Sequence, residues 1–128
     1  MPDQSAMKAA LQAYIDGFNA GDADAIMALF AADAVVEDPV GSAPKSRPEF
    51  EAFIRQGVAF GARLALVAPI RGSYANHAAM AFTVTFIQAG RRVVTDSLDV
   101  MTFDAAGKII RMEGYWGPGD VAAGTPPP

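Results

Sequence analysis

Three residues of this chain have the chemistry of proton transfer: Tyr14, Asp38 and Asp99. Asp38 follows Glu37 at the end of an apolar run, in VVEDPVGS, and Asp99 lies in SLDVMTF. A carboxylate at the mouth of a pocket can take up and return a proton. A buried phenol, or a carboxylic acid that keeps its proton, can donate a hydrogen bond. Each residue also has an ordinary reading. Asp38 could be a solvated strand end, Asp99 an acid on a water-facing strand, and Tyr14 a core tyrosine with a satisfied hydroxyl.

The elements that position them decide how far each reading goes. Met7, Leu11, Tyr14, Ile15 and Phe18 recur at helical spacing, which puts Tyr14 on the apolar face of a first helix. Asp3 or Ser5 caps that helix, and Asn19-Ala20-Gly21-Asp22 stops it. Asp22 or Asp24 caps a second, shorter helix through Ile26, Leu29 and Phe30. Residues 34–38 read as a strand ended by Pro39, which has no ladder donor and biases Asp38 toward an extended backbone. A third helix opens at Arg47-Pro48-Glu49, with Phe50, Phe53, Ile54 and Val58 as its apolar face.

Strands are expected over 63–71, 79–89, 91–103 and 108–116, with tight turns at Gly90 and Gly107. His77, in SYANHA, falls in the turn before the second of these. Alternation puts Met80, Phe82, Val84 and Phe86 on one face, and Ile110, Met112, Gly114 and Trp116 on another. Both faces are apolar and are assigned to the interior. Along 91–103, Ser97, Asp99, Met101 and Phe103 oppose Asp96, Leu98, Val100 and Thr102. Neither face is cleanly polar, so alternation leaves both readings of Asp99 open.

The pattern is α+β: three N-terminal helices packed on a strongly curved mixed or antiparallel sheet, a cone with an apolar pocket. Residues 1–118 form a single domain and 119–128 a flexible C-terminal tail.

Composition narrows the partners. The chain has 128 residues, 52% of them hydrophobic and 19% charged, which suits one globular core. Ten Lys and Arg against fourteen Asp and Glu give a net charge of −4, without the basic footprint that nucleic acid or an anionic membrane requires. There is no cysteine, so thiolate catalysis, disulfides and cysteine-ligated zinc are excluded. No apolar run approaches the roughly 20 residues of a membrane helix, and the N-terminus lacks the pattern of a secretory signal. A soluble cytoplasmic protein is expected.

Taken together, Tyr14, VEDPVGS and SLDVMTF resemble the bacterial Δ5-3-ketosteroid isomerases, of the nuclear-transport-factor-like cone folds. The resemblance runs from about Tyr14 to Trp116. It is densest in FNAGDADAIMALFAADAVVEDPVGSAPKS and continues in AFTVTF, AGRRVV and GKIIRMEGYWG. It implies Asp38 as general base, with Tyr14 and a protonated Asp99 donating to the ketone oxygen as a dienolate forms. It implies no metal and no cofactor, since one carboxylate serves as base and then as acid. It also implies a homodimer and a small apolar, steroid-like ketone as substrate. Phe18, Phe30, Phe53, Ile54, Phe82, Val84, Phe86, Met112 and Trp116 are the candidate walls of the substrate site; each is also an ordinary core residue. Ile54 and Phe30 stand where many family members carry tyrosines that support the catalytic one, so Tyr14 is expected to be less acidic here.

Three rivals differ in their demands: another enzyme on the same cone, a non-catalytic binder and a dimerisation domain. Dehydratases and polyketide cyclases of similar fold lean on an inward histidine, whereas His77 is expected to be exposed. Epoxide hydrolases of similar fold use an Asp–Arg–Asp set, whereas Arg111 falls on an outer face. A non-catalytic binder of flat ligands would have no need of Asp38. A pure dimerisation domain, using the outward Thr83, Thr85, Val100 and Tyr115, would need none of the three polar groups.

Overall fold

The computed structural model describes residues 2–124. Asp3 caps the first helix, α1 (Gln4–Ala20), by accepting the Ala6 N–H at 2.7 Å. This satisfies a backbone donor that the helix itself leaves free. Met7, Leu11, Tyr14, Ile15 and Phe18 are buried along one face of α1. Asp22 caps α2 (Ala23–Met27) in the same way, through the Ala25 N–H. Ser46 and Glu49 form a reciprocal capping box on α3 (Arg47–Ala59), whose second residue is Pro48.

The strands are β1 (Phe30–Glu37), β2 (Arg63–Leu66), β3 (His77–Gln88), β4 (Arg91–Phe103) and β5 (Ile109–Tyr115). Their order in the sheet is β1-β5-β4-β3-β2. β1 runs parallel to β5 and the other neighbours are antiparallel, so the sheet is mixed. The hairpin between β3 and β4 turns on Ala89 and Gly90, with φ of 51° and 75°. Two positive φ values in a two-residue loop match the twist of the flanking strands, and glycine adopts one of them without strain.

Several expectations are corrected. The second helix stops at Met27 and Phe30 already opens β1, because the Leu29 carbonyl accepts the Ile109 N–H at 2.9 Å and draws the chain into the sheet. The strand expected over 63–71 ends at Leu66; Pro69 brings no N–H, and only an isolated Arg71–Ala79 bridge follows. The register between β4 and β5 shifts at Thr102 and Phe103, so Ile109 rather than Ile110 turns into the core. Finally, residues 119–123 are not a loose tail. A 3-10 turn (Pro118–Asp120) leads to β6 (Val121–Ala123), which pairs with Val93, Val94 and Thr95 of β4. β5 pairs with β4 only from Leu98 onward, and β6 takes up the open edge beyond it. Residues 125–128 of the expected tail lie outside the described residues.

His77 is the first residue of β3 rather than part of a turn, and it is exposed. No helix among the described residues is long and apolar enough to cross a membrane. Phe50 of α3 lies at the centre of the core, 0% exposed and 4.9 Å from the Phe30 ring. Phe50→Ala removes packing that nothing else fills and is expected to cost about 3–5 kcal/mol. Urea unfolding, followed by the fluorescence of the single tryptophan, measures it.

Candidate active site

The helices and the inner face of the curled sheet enclose a cavity of about 400 Å³. Tyr14 and Phe18 of α1 contribute one wall, and Phe82, Val84 and Phe86 of β3 another. Phe53 and Gly57 of α3 close a third side, and Trp116 follows β5. Phe30, Ile54 and Met112, expected among the walls, do not line it. They are buried behind it. Helical geometry explains the division on α3. Phe53, Gln56, Gly57 and Phe60 recur at three- and four-residue spacing and face the cavity, while Phe50 and Ile54 face the core.

Asp38, Asp99 and Tyr14 all line this cavity. Asp99 is 2% exposed and is the only acidic or basic residue in the buried set of the described residues. It sits mid-strand, paired with Met80 on one side and Gly114 on the other. Asp38 follows the last residue of β1, and the chain then crosses β5, where the Val40 N–H donates to the Gly114 carbonyl at 2.8 Å. The Asp38–Pro39 peptide bond is cis.

Gly114 is where the two acids meet. A Cβ there would stand 2.8 Å from Asp38 Cγ and 3.1 Å from Asp99 Oδ1. Only a residue without a side chain lets both carboxyl groups close over β5. Glu37 takes the opposite direction. It accepts the Gly41 N–H at 2.9 Å and faces Arg111 at 3.4 Å on the outside of the sheet. Arg111 is therefore committed outward, and His77 does not line the cavity. Among the described residues, no group of three or more His, Cys, Asp or Glu converges as a metal-ligand set.

Two carboxyl groups this close in an apolar cavity do not both ionise readily. Burial, and then the Asp38 charge, push the Asp99 carboxyl well above the usual carboxylate range. Burial also raises Asp38, but two features oppose it. The Trp116 indole donates from Nε1 to Asp38 Oδ1 at 2.9 Å, and the Lys45 charge is nearby. Lys45 is itself held by the Asp38 carbonyl, at 3.0 Å from Nζ. Asp38 therefore ionises before Asp99. Burial, then Asp99 and Asp38, lift the Tyr14 phenol well above its ordinary value. Its ring packs against Phe18 at 5.2 Å and Phe30 at 6.3 Å. The other two tyrosines, Tyr74 and Tyr115, are exposed, so no second phenol supports it.

Sequence reasoning named Trp116 as a wall but missed its hydrogen bond to Asp38. It also missed the close approach at Gly114, the lining role of Leu64, and Val121, which enters the cavity from the segment assigned to a tail. A glycine amid apolar inward positions was the one available signal for that approach.

The single indole N–H reports directly on Asp38. Its NMR resonance is expected to titrate with a midpoint above that of an exposed aspartate (about 3.9), because the raised carboxyl keeps its proton to higher pH. Asp38→Asn should abolish the titration. Gly114→Ala, whose methyl would occupy the space of the carboxyl, should move the resonance at fixed pH. A midpoint at or below the ordinary value, or an unmoved resonance, would place the carboxyl elsewhere.

Known proteins share this arrangement of elements. Residues 11–112 match the SnoaL-like domain. A steroid Delta-isomerase of Nocardioides simplex is 40% identical over 116 residues, which cover 90% of this chain and 93% of that protein. The solved structure of SalBIII, an epoxide hydrolase/cyclase-like enzyme of pyran ring formation in the polyether salinomycin, superposes with a TM-score of 0.87 at 26% identity. It covers 96% of this chain and 99% of that one. The α+β cone, the helices against a curled mixed sheet and the extent of these matches agree: the chain belongs to the SnoaL-like domain family and is a homologue of steroid Delta-isomerase.

Proposed function

We propose that the protein is an isomerase that moves the double bond of a Δ5-3-ketosteroid into conjugation with the ketone. The observation that carries this reading is the pair of acids at one end of an apolar cavity, with Asp38 ionising ahead of a buried Asp99. Ionised Asp38 takes the proton from the carbon between the ketone and the double bond. The electron pair passes to the ketone oxygen as a dienolate. Tyr14 and protonated Asp99 donate hydrogen bonds to that oxygen. Asp38 then returns the same proton two carbons along, so nothing is consumed.

Donors already oriented in a dry site favour the charge as it develops, which a weak carboxylate base needs. Asp99 on a central strand and Tyr14 within a helix have little freedom to reorient. Asp38, at a strand end, is the group that must reach two carbons in turn. The outward Leu98 and Tyr115, paired across β4 and β5 and 40% and 47% exposed, suit the homodimer that the family resemblance implies.

The likeness to SalBIII favours a second reading. A neutral acid beside an ionised one could protonate an epoxide oxygen while the other activates a hydroxyl. The higher identity to the isomerase ranks this reading second.

Ultraviolet absorbance with a Δ5-3-ketosteroid tests the first reading, through appearance of the conjugated enone. Wild-type protein is expected to convert it, and Asp38→Asn to bind steroid with almost no turnover. Tyr14→Phe and Asp99→Ala should each lower kcat about 10²–10³-fold, and Asp99→Asn less, since an amide still donates. The rate should rise with pH through the raised Asp38 pKa, as the base form appears. Full turnover by Asp38→Asn would remove it as base. Absence of conversion by the wild type would discard the isomerase reading.

A further inference from the structure

The β4 wall carries two hydroxyls that the proton transfer does not use. Back from Asp99, Ser97, Thr95 and Val93 all turn into the same cavity, since alternate residues of a strand share a face. Their partners on β3 are Phe82, Val84 and Phe86, which also line it. The sheet wall is thus apolar along β3 and polar along β4. Ser97 and Thr95 are half-buried, and both line the cavity.

Strand geometry makes this row a ruler. Each pair of residues advances about 6.7 Å, so Ser97 lies about 7 Å and Thr95 about 13 Å along the strand from Asp99. A ketone oxygen held by Tyr14 and Asp99 would put one end of the substrate at the start of that ruler. A fused four-ring skeleton reaches about to Thr95 once a hydrogen bond at each end is counted. Gln88 lines the cavity too, but it pairs with Arg91. That is about 27 Å along the ladder, beyond such a skeleton.

We propose that Thr95 determines specificity by hydrogen-bonding a second oxygen on the substrate. The substrate class is then a multi-ring ketone that also bears a ketone or hydroxyl on its farthest ring. A threonine hydroxyl both donates and accepts, so either group is read. This inference rests on the isomerase reading above.

The test uses two Δ5-3-ketosteroids that differ only by a ketone on the five-membered ring. Wild-type protein is expected to favour the oxygenated one roughly three- to tenfold in kcat/KM, the worth of one neutral hydrogen bond. Thr95→Val keeps the side-chain shape and should bring that ratio toward one, chiefly through KM. Ser97→Ala, halfway along the row, should leave the ratio close to that of the wild type. A merely structural effect would weaken both steroids alike and leave the ratio standing. A ratio retained in Thr95→Val, or lost instead in Gln56→Ala at the α3 wall, would overturn the assignment while leaving the isomerase reading intact. Conversion of neither steroid by the wild type would overturn the isomerase reading, and this inference with it.

Discussion

Two carboxyl groups meet over one glycine in an apolar cavity, and the rest of the site follows from that crowding. Burial and the neighbouring charge favour the protonated form of one of them. Depth chooses which: Asp99 lies mid-sheet with almost no exposure, while Asp38 stands at a strand end beside an indole donor and a lysine charge. The same constraint accounts for the two adjacent acids of VVEDPVGS. Alternation sends Glu37 outward to Arg111 and the Gly41 N–H, and leaves Asp38 to turn inward over Gly114.

The scaffold divides the task between rigid and adaptable parts. Central strands and a helix carry Asp99 and Tyr14, and a loop that begins at the end of β1 carries Asp38. The mixed sheet is what brings them together. β1 enters parallel to β5 and so delivers its C-terminal end beside Gly114, the residue that pairs with Asp99. The core behind this wall is closed by Phe30, Phe50, Ile54 and Met112, which back the cavity without lining it. The phenol of Tyr14, buried against Phe18 and Phe30, near Asp99 and Asp38 and without a second phenol beside it, is a weaker acid than an ordinary tyrosine.

Much of the architecture was legible because its signals are local. Helical spacing located Tyr14, capping residues located the helix starts, and alternation put Phe82, Val84 and Phe86 on one inner face. The errors arose where partners distant in sequence decide. The early start of β1 depends on Ile109, the choice of Ile109 over Ile110 depends on a bulge opposite Thr102, and the ordered C-terminal segment depends on a free edge of β4. Phe30, Ile54 and Met112 were indistinguishable from wall residues, since a core side chain and a pocket side chain are equally apolar.

By itself the sequence determined the α+β order of elements, the apolar faces, the absence of thiol chemistry and three candidate proton-transfer groups. Each of these follows from residue type and short-range period. Only the tertiary structure decided that Asp99 is buried rather than solvated, that Asp38 shares its site, and that Trp116 holds it. The reason is physical. A carboxyl group's protonation depends on the solvent and charges around it, and here those come from residues 38, 99, 114 and 116, which only the sheet pairing brings to one point.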